Sequence, residues 1–496
     1  MKKNILYILF LVVVSNSYSQ KNSIAYYTNH APFAMPIVAQ PKFANKTYNI
    51  NDYGAIADGK TINTKAFSAA IDDCNKNGGG VVLVPSGNWL TGPIELKSNV
   101  NLQTVKGATI QFTKDHTQYS IIKNGLVSTT YSPASPIYAF DAENIAITGE
   151  GIFDGAGDSW RQVKKSKVSE SVWKELNKTG VLSNDGKIWW PSREAMLGED
   201  YLKNRKSEKA ILSAEDYLPA RDYLRPYMVY FINCKNILVQ GVTLRNSPKF
   251  VFYPNKCTDV TIDGVNIFND WWAQNGDGID ISACKNVVIY NTTLSVGDDG
   301  ICMKSSGKNA KANDANLQNI LIAECTVYRA HGGFVIGSNT DGGMKNIFVS
   351  NCNFIGSDIG VRVKSNAGRG GKVQNIYVDN IKMSHIVNEA IAFDTYYEDL
   401  VAGKDKVTTT AKDKIPEFTN FYFSNIKCEG AATGVYINGL AEMPVHHIHF
   451  DKVTITANKG FVAKYAADID CSKLKLKVSD KPVYKLENTK NITGLQ

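Results

Sequence analysis

Four short segments of the 496-residue chain line up on one glycine. They are Asn275-Gly276-Asp277-Gly278-Ile279-Asp280, Asp298-Asp299-Gly300-Ile301-Cys302-Met303, His331-Gly332-Gly333-Phe334-Val335-Ile336 and Asp358-Ile359-Gly360-Val361-Arg362-Val363-Lys364. With Gly278, Gly300, Gly333 and Gly360 aligned, the first and third residues after the glycine are apolar in every segment. Alternate side chains of a strand face opposite sides, so these apolar residues point inward. Asp280, Arg362, Lys364 and Lys304 then point outward, and Asp277, Asp298, Asp299 and His331 sit just before the glycine. Stacked, the segments crowd acids, a histidine and cations onto one outer patch, a set suited to general acid–base work.

Hydrolysis of a glycosidic bond needs one carboxylic acid to protonate the leaving oxygen and another carboxylate to activate water. Carboxylates on neighbouring strands, about 4.8 Å apart, repel one another. At least one pKa rises, which leaves a protonated acid available. His331, one strand on, can hydrogen-bond and tune the cluster. Arg362 and Lys364 share a face and suit a fixed anion on a substrate. They also suit a second reading, as cations that only balance the acids. Of Trp271 and Trp272, one can stack on a sugar ring while the other packs in the core. Asp280 reads as a residue that holds its turn, and Lys304 as a substrate contact or a solvated lysine. His446, His447 and His449 read as a packed or exposed strand face. With no Cys-x-x-Cys pair in the chain, a zinc site is disfavoured, and no metal or other cofactor is expected.

The elements that position these residues are repeats. A strand-like unit recurs at Asn144-Ile145-Ala146-Ile147, Asn236-Ile237-Leu238-Val239, Asp259-Val260-Thr261-Ile262, Asn286-Val287-Val288-Ile289, Asn319-Ile320-Leu321-Ile322, Asn346-Ile347-Phe348-Val349, Asn375-Ile376-Tyr377-Val378 and His447-Ile448-His449-Phe450. The typical spacing is about 23 to 33 residues, the range of solenoid repeats. One unit cannot bury its own apolar face, but stacked neighbours can. The expected fold is all-β: a single parallel β-helix of roughly ten coils. Asparagine at each bend can stack as a ladder. A sandwich or propeller also gives evenly spaced strands, but the period is irregular and hairpin turn signals are lacking. Residues 63–76 read as an amphipathic helix that caps the open N-terminal end. Residues 156–225 form a long, partly helical insertion with Trp160, Trp173, Trp189 and Trp190, and 401–415 a lysine- and threonine-rich loop. Long insertions on a coil map to loops around a binding face. This insertion is expected to wall off one end of the cleft.

Hydrophobic residues make up 43% and charged residues 21% of the chain, ordinary for a globular protein. Lys2 and Lys3, the apolar run Ile5–Val14 and the small residues of Ser17-Tyr18-Ser19 read as a signal peptide over 1–19. Residues 20–47 are then an N-terminal extension and 48–496 the β-helix domain. The mature protein is expected to be exported, periplasmic or secreted, and not membrane-bound. The formal charge of +8 includes Lys2 and Lys3, and a modest positive balance suits an anionic polymer. No dense Lys/Arg stripe with interleaved aromatics is present, so nucleic acid is not an expected partner. Nine cysteines are present, and Cys234, Cys257 and Cys284 occupy the same place in successive units. They read as buried, stacked thiols.

Asn275-Gly276-Asp277, Gly297-Asp298-Asp299, His331-Gly332 and Arg362-Val363-Lys364 resemble, in order, the four signature segments of the polygalacturonase-like glycoside hydrolases, family 28. Asp52-Tyr53-Gly54-Ala55, Val84-Pro85 and Gly92-Pro93-Ile94 are similar to the first coils of that family and of related pectin-active enzymes. The chain departs at Gly276, Ala330 and Val363, where the family usually has Thr, Gly and Ile. The resemblance implies a right-handed β-helix that cleaves α-linked galacturonate with inversion, and the insertion's likeness to bacterial exo-type members adds the expectation of exo attack. It implies Asp298 as general acid and Asp277 and Asp299 on the water, with His331 beside them. Arg362, Lys364, Asn275, Trp271 and Lys304 are the candidate contacts to an acidic plant-type polysaccharide or oligogalacturonide. Three other readings remain open: a lyase on the same solenoid, release of a neutral sugar such as rhamnose, and a non-enzymatic carbohydrate-binding β-helix.

Overall fold

Residues that tolerate a left-handed backbone set the bends of this chain. Asn144, Asn236, Asp259, Asn286, Asn319, Asn346, Asn375 and Asn420 all have φ between 52° and 60°, a region open chiefly to glycine and to Asn or Asp. Their side chains form the expected ladder. The amide of Asn236 donates to Asn144 Oδ1 at 3.0 Å, that of Asn319 to Asn286 at 3.1 Å and that of Asn346 to Asn319 at 3.2 Å. Most bends are thereby tied to the one before, with a break between Asn236, whose Oδ1 has no partner among the described residues, and Asp259.

The structure is a computed structural model that describes residues 22–125, 128–209, 211–307, 315–397 and 411–495. The signal-peptide segment 1–19 and most of the 401–415 loop lie outside the described residues. After each bend comes a strand paired in parallel with its equivalents. Ile145, Ile237, Val260, Val287, Ile320, Ile347, Ile376, Phe421 and Ile448 are successive partners in one such column. All nine are buried in a single continuous core. Among the described residues the sheet that carries the aligned glycine segments has twelve strands, in keeping with a solenoid of roughly ten coils. The winding is right-handed, as parallel crossover connections require. Helix Thr64–Lys76 buries Ala66, Phe67, Ala70, Ile71 and Cys74 against the N-terminal coils, which caps the solenoid.

The cysteines are buried and unbridged. In the Cys234, Cys257 and Cys284 stack, each thiol donates to a backbone carbonyl of the preceding coil, at 3.4 Å, 3.5 Å and 3.4 Å. The 156–225 insertion contains a three-stranded antiparallel sheet (Val163–Lys164, Val181–Leu182, Ile188–Trp190) and the helices Glu170–Leu176 and Arg193–Glu208. Three of its tryptophans serve packing. Trp160 is fully buried and stacks on His116 with ring centroids 3.5 Å apart, while Trp173 and Trp189 join Val163 and Trp272 in one cluster.

The segment before the first coil forms a strap that the repeat pattern did not foretell. Helix Ile24–Asn29 and the chain after it place Tyr27, Phe33, Met35 and Val38 against Val288, Leu321, Phe348 and Tyr377 on the outside of four coils. The Tyr27 hydroxyl bonds Glu324 and accepts from Asn351 Nδ2, and Tyr290 donates to the Asn22 carbonyl at 2.7 Å. The strap therefore covers outward-facing apolar residues that would otherwise meet water. A chain lacking residues 22–46 is expected to keep its far-UV circular dichroism but to bind a hydrophobic dye and to unfold at a lower temperature than the intact protein. Unchanged dye binding and midpoint would show that the strap covers nothing of consequence.

Candidate active site

The aligned glycines are required by space. A Cβ on Gly278 would lie 2.5 Å from Leu294 Cδ2, on Gly300 2.7 Å from Val327 Cγ1, on Gly333 2.5 Å from Phe354 Cγ and on Gly360 2.5 Å from Met383 Sδ. Each glycine lets the chain turn tightly over the core just before the strands Ile279–Ser282, Ile301–Lys304, Phe334–Ile336 and Val361–Lys364. These strands pair in the register that the glycine alignment gives: Ile279 with Ile301, Ile301 with Phe334, Phe334 with Val361. Distant acids and bases therefore meet on the solenoid's outer face. Oxygens of Asp277, Asp298 and Asp299 lie within 4.8 Å of one another.

The three carboxyls have different surroundings. Asp277 is buried, and its Oδ1 has no hydrogen-bond partner among the described residues. Burial pushes its pKa well above the ordinary carboxyl range, and the charges of Asp280 and Asp298 add to the effect. Asp299 is also buried, which raises its pKa. Lys364 Nζ at 2.7 Å and Arg362 at 3.6 Å outweigh that and hold it below the usual range. Asp298 is the most open, its side chain 19% exposed. Its oxygens accept from His331 Nδ1 at 3.0 Å, from the Asp299 N–H at 3.1 Å and from the Asn275 N–H at 3.2 Å. The three acids are a candidate cation cluster, but Lys304, Lys364 and Arg362 already offset their charge from inside the same patch.

Several expected contacts have other partners. Lys364 is buried with its ammonium on Asp299, so its charge serves the acid cluster rather than an open anion site. Lys304 is not solvated. It lies 3.0 Å from Asp280 and 4.0 Å from Asp277, and these acids keep it charged against the pull of burial. Asp280 makes no bond that holds its turn. It is fully buried, pushed up to about 6 by burial and opposed by Lys304. Asn275 is engaged through its side chain, whose Oδ1 accepts from Arg225 at 2.9 Å. Arg362 remains partly open beside the Tyr397 ring, 5.4 Å from its centroid. Trp271 is 47% exposed, whereas Trp272 packs against the insertion. Of the late histidines, His446 is half-buried beside Glu417 and Thr419, while His447 and His449 are exposed, the latter stacked on Tyr422.

Other residues at the site went unflagged in the sequence. Lys167, from the insertion, reaches His331 Nε2 at 2.9 Å. An ammonium only donates, so Nε2 accepts and Nδ1 carries the hydrogen that bonds Asp298. Arg225 ends the insertion, and its guanidinium also bonds the Gln274 carbonyl at 2.9 Å. Buried Arg161 opens the insertion and donates to the Ser247 carbonyl. The two arginines staple both ends of the insertion to the turns beside Asp277. Lys249 lies over Tyr227 and Phe250, at 4.9 Å and 5.9 Å, and is pushed down to about 8 by burial and by the charge of Arg225. Phe252 pairs with Ile279. Extending the glycine alignment one rung back would therefore have set Lys249 beside Gly276.

Comparison with known proteins adds the following. The profile of "Glycosyl hydrolases family 28" matches residues 220–478, and that of "Rhamnogalacturonase A/epimerase, pectate lyase-like" matches 47–164. An exo-poly-alpha-D-galacturonosidase of Dickeya chrysanthemi is 27% identical over 82% of this chain, and the match spans 66% of that relative's length. The crystal structure of an exopolygalacturonase from Thermotoga maritima superposes with a TM-score of 0.70 at 27% identity, covering 91% of this chain and 94% of the other. A family 28 exopolygalacturonase of Yersinia enterocolitica gives the same TM-score at 21% identity, over 90% of this chain and 78% of that one, and bears on the fold alone.

The buried charges make one variant informative. Lys304→Met leaves Asp280 without its cation and is expected to cost about 3–5 kcal/mol of stability, the usual penalty for orphaning a buried charge. Urea unfolding checks the loss. The double variant Lys304→Met/Asp280→Asn should recover most of it.

Proposed function

The chain belongs to glycosyl hydrolase family 28, and from that premise we propose that it hydrolyses α-linked galacturonate in pectin-type polysaccharide. The observation that carries the reading is the division of labour among the three carboxyls. Asp299 is held ionised by Lys364 and Arg362, so it is fit to take a proton from the attacking water. Asp277, whose acid form burial favours, keeps a proton in the cluster. Asp298 is the one of the three open to the cleft, and it delivers a proton to the leaving oxygen. His331 orients Asp298 through the Nδ1 hydrogen bond. As the C–O bond breaks, the leaving oxygen gains Asp298's proton. The water's oxygen joins the sugar and its proton passes to Asp299. Arg362, partly open beside this cluster, is the group we assign to the galacturonate carboxylate.

Two features support exo attack by a single catalytic domain over residues 48–496. The insertion is stapled beside Asp277 and runs along the cleft to His331. The Dickeya relative and the Thermotoga structure both carry exo-acting names. Inversion rests on the family. Export rests on the first nineteen residues, and no described helix is long and apolar enough to cross a membrane.

Incubation with defined galacturonate oligomers tests the reading. Terminal units should appear from the start without a ladder of intermediates, with the β-anomer first by NMR. An early ladder would defeat the exo assignment, and the α-anomer would defeat inversion. Asp298→Asn should lose about a thousandfold or more in kcat with its fold retained, the scale of removing a general acid. A second prediction concerns pH. Asp280 is pushed up to about 6 and Asp277 well above the ordinary range, so the cluster loses its proton as pH rises. The kcat/KM profile should therefore be sustained through mildly acidic pH and fall on the alkaline side as Asp277 gives up its proton.

A further inference from the structure

We propose that a strip of lysines outside the cleft, on the other sheet of the solenoid, holds the interior of a long galacturonan chain while the cleft works on its end. The proposal rests on the galacturonate reading. The strip belongs to the 25-stranded sheet, whereas the site strands belong to the 12-stranded one.

Strand register builds the strip. Lys382 pairs with Lys427, Lys427 with Thr454 and Thr454 with Lys475, each one coil further along. Lys477 stands two residues beyond Lys475 and faces the same way. The residues between, Met383, Cys428 and Ile455, are buried, so the column points outward. All four lysines are exposed. Lys427 pairs with Glu429, while Lys382, Lys475 and Lys477 have no ion-pair partner among the described residues. The first coils of the strip enclose a groove of about 370 Å³ lined by Asn353, Ile355, Lys382, Ser384, Lys427 and Glu429. Tyr328, 42% exposed, pairs with Ile355 one coil earlier.

This arrangement fits an anionic sugar chain. Apolar side chains at the head of the groove can cover the C–H faces of pyranose rings, and the lysines offer a point charge to successive carboxylates. From Asn353 to Lys475 is four coils, about 19 Å, room for several sugar units in line. A row of cations one column wide matches a chain better than a plane of lipid headgroups. Lysines can also guard the open edge of a sheet. That explains Lys475 and Lys477, which lie on the last strand of the column. It does not explain Lys382 and Lys427, whose strands are paired on both sides. The positive field also grows along the strip, since residues 452–496 carry nine lysines against four acids. An exo-acting enzyme can use only one end of each polymer. Holding the interior of that polymer keeps its end at high local concentration.

The test uses the full chain and the triple variant Lys382→Gln/Lys475→Gln/Lys477→Gln, with circular dichroism as a check of the fold. Retardation is measured in native gels containing polygalacturonate, in an Asp298→Asn background so that the polymer is not consumed. The triple variant should bind about tenfold more weakly. In the active protein, kcat/KM should fall several-fold on polygalacturonate and stay unchanged on trigalacturonate, which is too short to reach the strip. Unchanged retardation overturns the proposal. An equal fall on both substrates also overturns it, since the lysines would then support the cleft. Lysine-dependent binding to phosphatidylglycerol vesicles in place of polygalacturonate would assign the strip to a membrane surface and overturn it as well. A wild-type protein that cleaves neither substrate would defeat the galacturonate reading itself, a result separate from the gel readout.

Discussion

Everything at this site depends on how closely one coil can lie on the next. Parallel strands repeat at about 4.8 Å, and the chain must turn over the core without a side chain in the way. Gly278, Gly300, Gly333 and Gly360 supply that clearance, since a Cβ at any of them would meet the core or the neighbouring coil. With the turns seated, residues from Asp277 to Lys364 become neighbours. A shift of one residue in any rung would rotate its charged groups into the core and its apolar groups outward. The site and the fold are thus specified by the same contacts.

Close stacking creates an electrostatic problem that the structure solves locally. Asp277, Asp280 and Asp299 are buried together, and burial of unpaired charge is strongly unfavourable. Lys304 answers Asp280 and Lys364 answers Asp299. Asp277 meets Lys304 only at 4.0 Å, and burial together with the neighbouring acids favours its protonated form. Asp298 stays at the edge, reached by His331 and by two backbone N–H groups. The three buried acids thereby acquire distinct protonation preferences through placement alone.

Whatever repeats in the chain was legible in its sequence. The aligned glycines gave the strand register residue for residue, the asparagines marked the bends, and the spacing of Ala66, Phe67, Ala70 and Ile71 marked the capping helix. Pairings between side chains were harder to read. Arg362 and Lys364 share a face, but their sequence spacing does not say that Lys364 turns to Asp299 while Arg362 stays partly open. Lys304 was visible as an outward residue, yet its burial depends on Phe250 and Asp280 in other coils. Lys167, Arg161 and Arg225 belong to an insertion that obeys no period. Nothing in their local sequence states which turn they touch. Its tryptophans drew attention as part of a wall, and three of them, Trp160, Trp173 and Trp189, hold the insertion together and to its neighbours.

The strap has a consequence for the order of events during synthesis. Its helix begins at Ile24, yet its berth comprises Val288, Leu321, Phe348 and Tyr377. The first part of the described chain to be made must wait until some three hundred further residues exist before it can dock. Contacts this remote in sequence close late, because the intervening loop must first be condensed. The coils can zip up from neighbour to neighbour, whereas the strap can only arrive afterwards. It acts as a final clasp across coils already wound, and its undocking is a natural first step when the protein comes apart.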